Sequence, residues 1–147
     1  MYNLKHGLTT KDIVNALRLK RSFGGCFPCD KIPRFYQFPC TIVVNTQTAD
    51  KPGQHWVAIH ITKYASFYFD SFGLPALEPH ILRYLKSYSR RVVYNPSCIQ
   101  HMFSTSCGLF CIAFVKHVYS KKSFISFISR FSNTNLVEND SIVLQLI

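Results

Sequence analysis

A cysteine at the start of a long apolar run is the first candidate for chemistry. Three small hydroxyl residues, Ser104 to Ser106, precede Cys107, and the apolar run continues to Val118. Such hydroxyl residues often cap helices, and the run is too apolar for a surface helix, so a buried helix is predicted to begin near Cys107. Its N-terminal dipole would favour a thiolate, and Gly108 would allow close approach of another segment or a ligand. Cys107 is interpreted either as a nucleophile or as a buried structural cysteine.

A thiolate nucleophile needs a base within hydrogen-bond reach, and the base needs a partner that fixes its tautomer. His55 opens one predicted strand and Asp70 closes the next. If the two strands pair as an antiparallel hairpin, the start of the first lies beside the end of the second, so His55 and Asp70 meet at one sheet edge. The alternatives are a solvated histidine at a strand end and an aspartate that forms a turn.

Acyl transfer also needs hydrogen-bond donors directed at the oxyanion that develops on the substrate. Gln100 lies in the predicted loop before the buried helix, seven residues before Cys107. Its side-chain amide and the backbone N–H of Cys107 would supply two such donors. An ordinary loop glutamine is the alternative interpretation.

The elements that must position these residues follow from apolar periodicity and turn signals. Strands are predicted at residues 40–45, 55–61, 66–70 and 91–94, and helices at 9–21, 77–88, 107–118, 124–131 and 139–147, the last capped by Asn139-Asp140. Residues 22–40, rich in Gly and Pro, are predicted to be a loop. Strands in the middle and helices on either side predict an α+β fold, with a central mixed or antiparallel sheet packed against the helix that carries Cys107. One domain, residues 1–147, is expected.

The chain is strongly basic, with a net charge of +10 from 17 Lys and Arg against 7 Asp and Glu. Such a balance favours a polyanionic partner, usually nucleic acid, although solubility alone is an alternative. No apolar run reaches the roughly 18–20 residues that span a bilayer, and Met1 to His6 lacks the apolar core of a signal peptide. A soluble, unsecreted protein is therefore expected, with its six cysteines as free thiols.

Cys26 and Cys29 have the spacing of a zinc knuckle. A structural zinc site needs four ligands, and the sequence offers neither a second Cys-x-x-Cys pair nor a close pair of histidines. Cys40 is the nearest further candidate. The two cysteines are interpreted as loop thiols, and no metal site is expected.

Three motifs occur in a fixed order along the chain: His55-Trp56, the run Phe69 to Gly73, and Gln100 followed by the run Cys107 to Cys111. Together they resemble the adenovirus protease (adenain) family of cysteine proteases, which is related to the SUMO-specific proteases. Similar proteases occur in Polinton/Maverick elements and adintoviruses. The resemblance extends over about residues 8–120 and implies one cysteine protease domain with the papain-like architecture of the adenain type.

The resemblance also implies roles for single residues. By position, Cys107 would be the nucleophile, His55 the general base and acid, Asp70 the residue that orients His55, and Gln100 a part of the oxyanion hole. Adenovirus enzymes carry Glu in place of Asp70. Trp56 would pack beside the site, with an ordinary core aromatic as the alternative.

The family further implies autocatalytic processing and cleavage of viral capsid or core precursors during virion maturation, in the virion and the host nucleus. No cofactor is required chemically, but DNA and a viral activating peptide are implied as cofactors. Arg91 stands where adenovirus enzymes carry the Cys that joins this peptide, which argues against a disulfide link. Two other interpretations remain: a SUMO- or ubiquitin-like isopeptidase with the same residues, and a catalytically silent DNA-binding structural protein.

Overall fold

The computed structural model describes residues 5–147. Met1 to Leu4, part of the stretch considered for a signal peptide, lie outside the described residues. The helices are α1 (Thr10–Leu17), α2 (Pro79–Tyr88), α3 (Cys107–Tyr119), α4 (Phe124–Ile128) and α5 (Leu136–Leu144). The strands are β1 (Phe23–Pro28), β2 (Cys40–Asn45), β3 (Trp56–Ile61), β4 (Ser66–Phe69) and β5 (Val92–Tyr94). Within residues 5–147, no helix has both the length and the apolar character needed to cross a bilayer.

The strands form one mixed sheet in the order β1-β2-β3-β4-β5. The inner pairs, β2–β3 and β3–β4, are antiparallel, whereas the outer pairs, β1–β2 and β4–β5, are parallel. Each face of the sheet is covered by its own apolar cluster: α1, α3, α4 and α5 pack on one face, and α2 packs on the other. The predicted α+β class is confirmed.

The hairpin of β3 and β4 was predicted, and its register brings two candidate residues to one end of the sheet. Ala58 lies opposite Phe69 in the antiparallel ladder. The connection at the far end closes with a hydrogen bond from the Thr62 N–H to the Ala65 carbonyl at 3.0 Å. β3 begins one residue later than predicted and β4 ends one residue earlier, so His55 directly precedes β3 and Asp70 directly follows β4.

Helix α3 is the buried helix that the apolar run predicted, and it begins at Cys107. Phe114 of α3 stacks on Phe69 of β4 with ring centroids 4.9 Å apart, which fixes the helix against the hairpin. The predicted hydroxyl cap, however, is wrong. Ser106 is the N-cap residue of α3, but its side chain makes no capping hydrogen bond to the helix. The first-turn N–H groups of α3 are therefore not occupied by a side-chain cap.

The prediction of a loop over residues 22–40 is wrong for residues 23–28, where β1 pairs in parallel with β2, whereas residues 29–39 form neither helix nor strand. Its Gly residues weaken the strand signal, but packing requires at least one of them. A Cβ on Gly24 would lie 2.8 Å from the ring of Phe35 and 2.9 Å from the side chain of Ile42. Side chains from two other segments thus occupy the space that a larger residue would fill, and this tertiary demand overrides local propensity.

Helix α1 has the predicted capping box but is shorter than predicted. The Thr9 hydroxyl oxygen accepts from the Asp12 N–H at 3.2 Å, and the Asp12 carboxylate accepts from the Thr9 N–H at 2.8 Å. These two bonds satisfy N–H groups that the first turn would otherwise leave unpaired. The helix ends at Leu17 rather than near Arg21.

The C-terminal helix is displaced from its prediction. Asn139 and Asp140 were predicted to cap it, but α5 begins at Leu136 and contains both residues. Asn139 is fully buried, and its side chain donates to the Ile99 carbonyl at 2.8 Å. Its amide therefore serves a contact between distant segments rather than a helix terminus.

Leu8, just before α1, packs directly on the first turn of α3. A Cβ added to Gly108 would lie 2.9 Å from the Leu8 Cβ, closer than two such carbons can approach. The close approach that the sequence predicted at Gly108 is thus made by another segment of the chain.

Gly108→Ala is expected to lower the free energy of unfolding by about 1–3 kcal/mol, because the added methyl group overpacks this contact. Urea denaturation of both proteins measures the change. In open space, Ala in place of Gly would instead stabilise a helix by up to about 1 kcal/mol. An unchanged or increased free energy of unfolding would therefore contradict the packing of Leu8 on α3.

Candidate active site

The structure brings His55 and Asp70 together, as the hairpin geometry predicted. His55 Nε2 lies 2.7 Å from Asp70 Oδ1, and Asp70 is buried, with 4% of its surface exposed. The same carboxylate oxygen accepts from the Phe72 N–H at 2.9 Å. Asn95 holds the backbone of Asp70: its Oδ1 accepts from the Asp70 N–H at 3.0 Å, and its Nδ2 donates to the Asp70 carbonyl at 2.7 Å. The acceptor for His55 is therefore fixed through both its side chain and its main chain.

The Cys107 side chain lies beside His55, close enough to help raise the pKa of its ring, so His55 brings the hairpin next to α3. Because a carboxylate can only accept, Nε2 carries the proton toward Asp70, which leaves Nδ1 for the thiol. The ring of Phe72 covers His55 with centroids 4.8 Å apart. Burial opposes protonation of the ring, but the hydrogen bond to Asp70 and the neighbouring Asp70 and Cys107 side chains prevail and raise the pKa of His55 to about 9. The imidazolium form is therefore favoured at neutral pH.

Gln100 is buried, with 1% of its surface exposed, and its amide is held at both ends. Its Oε1 accepts from the Ser71 hydroxyl, and its Nε2 donates to the Ser104 carbonyl at 2.9 Å. Because that carbonyl can only accept, the orientation of the amide is determined. Nε2 has a second hydrogen, whose contact with Ser104 Oγ is long, at 3.4 Å.

Cys107 is the first residue of α3 and lines a cleft of about 820 Å³ together with His55 and Gln100. The segment before α1 and the loop 47–54 between β2 and β3 form the sides of this cleft. Trp56 also lines it, and its Nε1 donates to the Leu8 carbonyl at 2.9 Å, which ties the segment before α1 to β3. The site is thus assembled from four separate parts of the chain.

Two residues that contact the site were not selected from the sequence for this purpose. Asn95 directly follows the strand predicted at residues 91–94, and its side chain holds the backbone of Asp70. Asp140 was predicted to cap a helix, yet it accepts from the Ser104 hydroxyl at 3.0 Å. Both contacts join residues more than 20 positions apart in the chain, and a local sequence pattern does not indicate such a contact.

The zinc-knuckle cysteines do not meet. Cys26 packs against the apolar cluster on one face of the sheet, whereas Cys29 belongs to the cluster on the other face. Cys29 does lie near Glu78 and His80, a group of three potential metal ligands. The Glu78 carboxylate, however, accepts from His80 Nδ1 and from the Ile81 N–H, both at 2.9 Å, and caps α2. Glu78 therefore has a structural role at the start of α2.

In sequence, the chain is similar to proteases of adenoviruses. It is 29% identical to the protease of bovine adenovirus 7, over 80% of this chain and 67% of that protein. It is 30% identical to the protease of ovine adenovirus D serotype 7, over 80% of this chain and 68% of that protein. For the protease of frog adenovirus 1, the identity is 31% over 80% of this chain and 66% of that protein.

In structure, the chain is similar to the ASFV pS273R protease. The TM-score is 0.62, with 99% of this chain and 69% of that chain covered and a sequence identity of 18%. This likeness is one of fold. A scan against protein-family models finds no match.

Asp70→Asn should reduce stability in a pH-dependent manner, because it removes a charge that helps to raise the pKa of His55. That pKa lies at about 9, above the ordinary value of 6.5. A pKa raised in the folded state contributes stability that is complete below about pH 6.5 and is lost as the pH rises through about 9. The free energy of unfolding of the wild type should therefore exceed that of Asp70→Asn most near pH 6, and the difference should shrink toward pH 10.

Urea denaturation of both proteins between about pH 6 and pH 10 measures this difference. A difference that stays constant over this range, or that grows with pH, would contradict the charge pairing of His55 with Asp70.

Proposed function

The chain belongs to the adenovirus protease family, and from this premise we propose that it is a cysteine endopeptidase that cleaves viral precursor proteins. The observation that carries the proposal is His55 between the Asp70 carboxylate and the Cys107 side chain. A nucleophile, a base within hydrogen-bond reach and a group that orients the base are the parts that acyl transfer through a thioester requires.

In the proposed acylation step, the Cys107 thiolate attacks the carbonyl carbon of the scissile peptide bond. The π electrons of the carbonyl group move to oxygen and form the oxyanion. His55, protonated at neutral pH because of its raised pKa, then gives a proton to the amide nitrogen as the C–N bond breaks. The amine product leaves, and the acyl group remains on Cys107 as a thioester.

In deacylation, His55 takes a proton from a water molecule while the water oxygen adds to the thioester carbon. The C–S bond then breaks, which releases the carboxyl product and returns Cys107 to its thiolate form beside protonated His55. Asp70 accepts from Nε2 throughout and holds the ring in the orientation that both transfers need.

The oxyanion would be stabilised by two donors, the Cys107 N–H and Gln100 Nε2. The lack of a capping hydrogen bond from Ser106 supports the first donor, since the N-cap side chain does not compete for the N–H groups of the first turn. The long contact between Gln100 Nε2 and Ser104 Oγ supports the second, since that hydrogen has only a weak partner in the resting site. Trp56 is proposed to line the cleft beside these donors.

We propose viral capsid or core precursors as substrates, in the virion and the host nucleus, together with autocatalytic processing. An open cleft of about 820 Å³ with chain segments on both sides supports an extended polypeptide as the ligand. The purified protein can be mixed with the precursor proteins of its own genome, with and without DNA, and mass spectrometry then identifies the cut sites. If no precursor is cut, and a ubiquitin-like protein with a C-terminal electrophile labels Cys107 instead, the isopeptidase alternative replaces this proposal.

Cys107→Ala should abolish proteolysis while the fold is retained, because the methyl side chain has no nucleophile. Cys111→Ala is the matched control, one turn further along α3, where burial raises the thiol pKa well above its ordinary value. This control should keep its activity. Peptide hydrolysis and circular dichroism of both variants measure the outcome, and turnover by Cys107→Ala would eliminate the thioester mechanism.

We also propose that the protein binds DNA through its net charge of +10, without sequence preference; an activating peptide remains a proposal from the family alone. The ion pairs of Asp70 with His55 and of Glu78 with His80 use histidine, so these two carboxylates are not paired with Lys or Arg. The logarithm of the DNA affinity should fall linearly with the logarithm of the salt concentration, because phosphate contacts release counterions. Fluorescence anisotropy with two unrelated duplexes measures this slope, and an affinity that does not change with salt would refute the electrostatic interaction.

A further inference from the structure

The loop between β5 and α3 carries Gln100, and helix α5 holds this loop at two points. Asn139 Nδ2 donates to the Ile99 carbonyl at 2.8 Å, from a fully buried position. One residue further along α5, Asp140 Oδ1 accepts from Ser104 Oγ at 3.0 Å. Two consecutive residues of one helix therefore hold the chain on both sides of Gln100.

Ser104 connects Asp140 to the proposed oxyanion donors. Because a carboxylate only accepts, the Ser104 hydroxyl hydrogen points to Asp140. The hydroxyl oxygen is then left to accept from the Ser106 N–H at 3.1 Å and from Gln100 Nε2 at 3.4 Å, while the Ser104 carbonyl accepts from the same Nε2 at 2.9 Å. The position of Ser104 thus sets both the direction of the Gln100 amide and the path of the chain into α3.

We propose that Asp140 is a positioning residue for the oxyanion hole, which it organises through Ser104 without touching the substrate. The inference rests on the proposed function, since it concerns the donors of the same site. Asp140 fixes the rotation of one hydroxyl group, and that hydroxyl group accepts from the Ser106 N–H, just before Cys107, and more weakly from the second Nε2 hydrogen of Gln100. Asn139 anchors the loop to α5, and Asp140 sets the direction of the Ser104 hydroxyl group.

The substitution Asp140→Asn tests the orientation of the Ser104 hydroxyl group separately from the anchoring of the loop by Asn139. Asn has nearly the same shape, but its amide can donate to Ser104 Oγ as well as accept from it. The hydroxyl hydrogen can then turn toward the Ser106 N–H or Gln100 Nε2, both of which are donors. The Ser106 N–H and the second Nε2 hydrogen of Gln100 would then lose their acceptor, so the main chain that enters α3 and this hydrogen would be less well placed, while the Ser104 carbonyl still holds the amide and Asn139 still holds the loop.

The test uses a fluorogenic peptide that spans a cut site found in the precursor digest. Asp140→Asn and Ser104→Ala should each lower kcat about ten-fold with little change in KM, because donors that point away stabilise the transition state less. Gln100→Ala gives the full loss of one donor, about 100- to 1,000-fold. Since Asp140 acts through Ser104, the double variant should be no slower than Ser104→Ala alone.

A second readout separates this role from general damage to the site. Alkylation of Cys107 by iodoacetamide forms no oxyanion, so its rate should be the same in Asp140→Asn and the wild type. Glu138→Gln, an exposed change on the same helix, is the matched control and should leave both rates unchanged.

Full kcat in Asp140→Asn, additive losses in the double variant, or a parallel loss of alkylation would each overturn the inference while leaving the proposed function intact. A wild type that hydrolyses no peptide would overturn both.

Discussion

The hydrogen bond between His55 and Asp70 is the constraint on which the rest of the site depends. It exists because β3 and β4 pair antiparallel, which brings the start of β3 to the end of β4, and because Asp70 is buried, with its backbone held by the Asn95 side chain and its carboxylate by the Phe72 N–H. With Nε2 committed to Asp70, the other ring nitrogen is left for Cys107 at the start of α3. Charge pairing at this point prevails over burial and keeps the ring protonated.

The sheet and α3 position the reacting groups, but segments from both ends of the described chain complete the site. Leu8 packs on Gly108, and its carbonyl accepts from Trp56, so the chain before α1 forms one side of the cleft. At the other end, α5 reaches the loop that carries Gln100. The proposed base and nucleophile thus lie on the core, whereas the proposed oxyanion donors depend on contacts between distant segments.

The parts that the sequence predicted well are those set by local patterns. Alternating and β-branched residues marked β2, β3 and β4, and the dense apolar run marked α3, so the meeting of His55 with Asp70 followed from strand pairing alone. Strand β1 was missed because Gly24 is required by side chains that arrive from elsewhere. Asn139 was wrongly predicted to cap a helix for the same reason, because its side chain makes a tertiary hydrogen bond to the Ile99 carbonyl. The catalytic roles of Cys107, His55, Asp70 and Gln100 stay predictions until activity is measured.

An NMR titration of the His55 ring tests the central claim most directly, with His55→Gln used to assign its signals. The charge-paired arrangement predicts a pKa near 9 in the wild type, which falls toward the ordinary value in both Asp70→Asn and Cys107→Ala. His60, whose pKa burial lowers to about 4, should titrate identically in all three proteins. A His55 pKa near 6.5 in the wild type, unchanged by either substitution, would contradict the account.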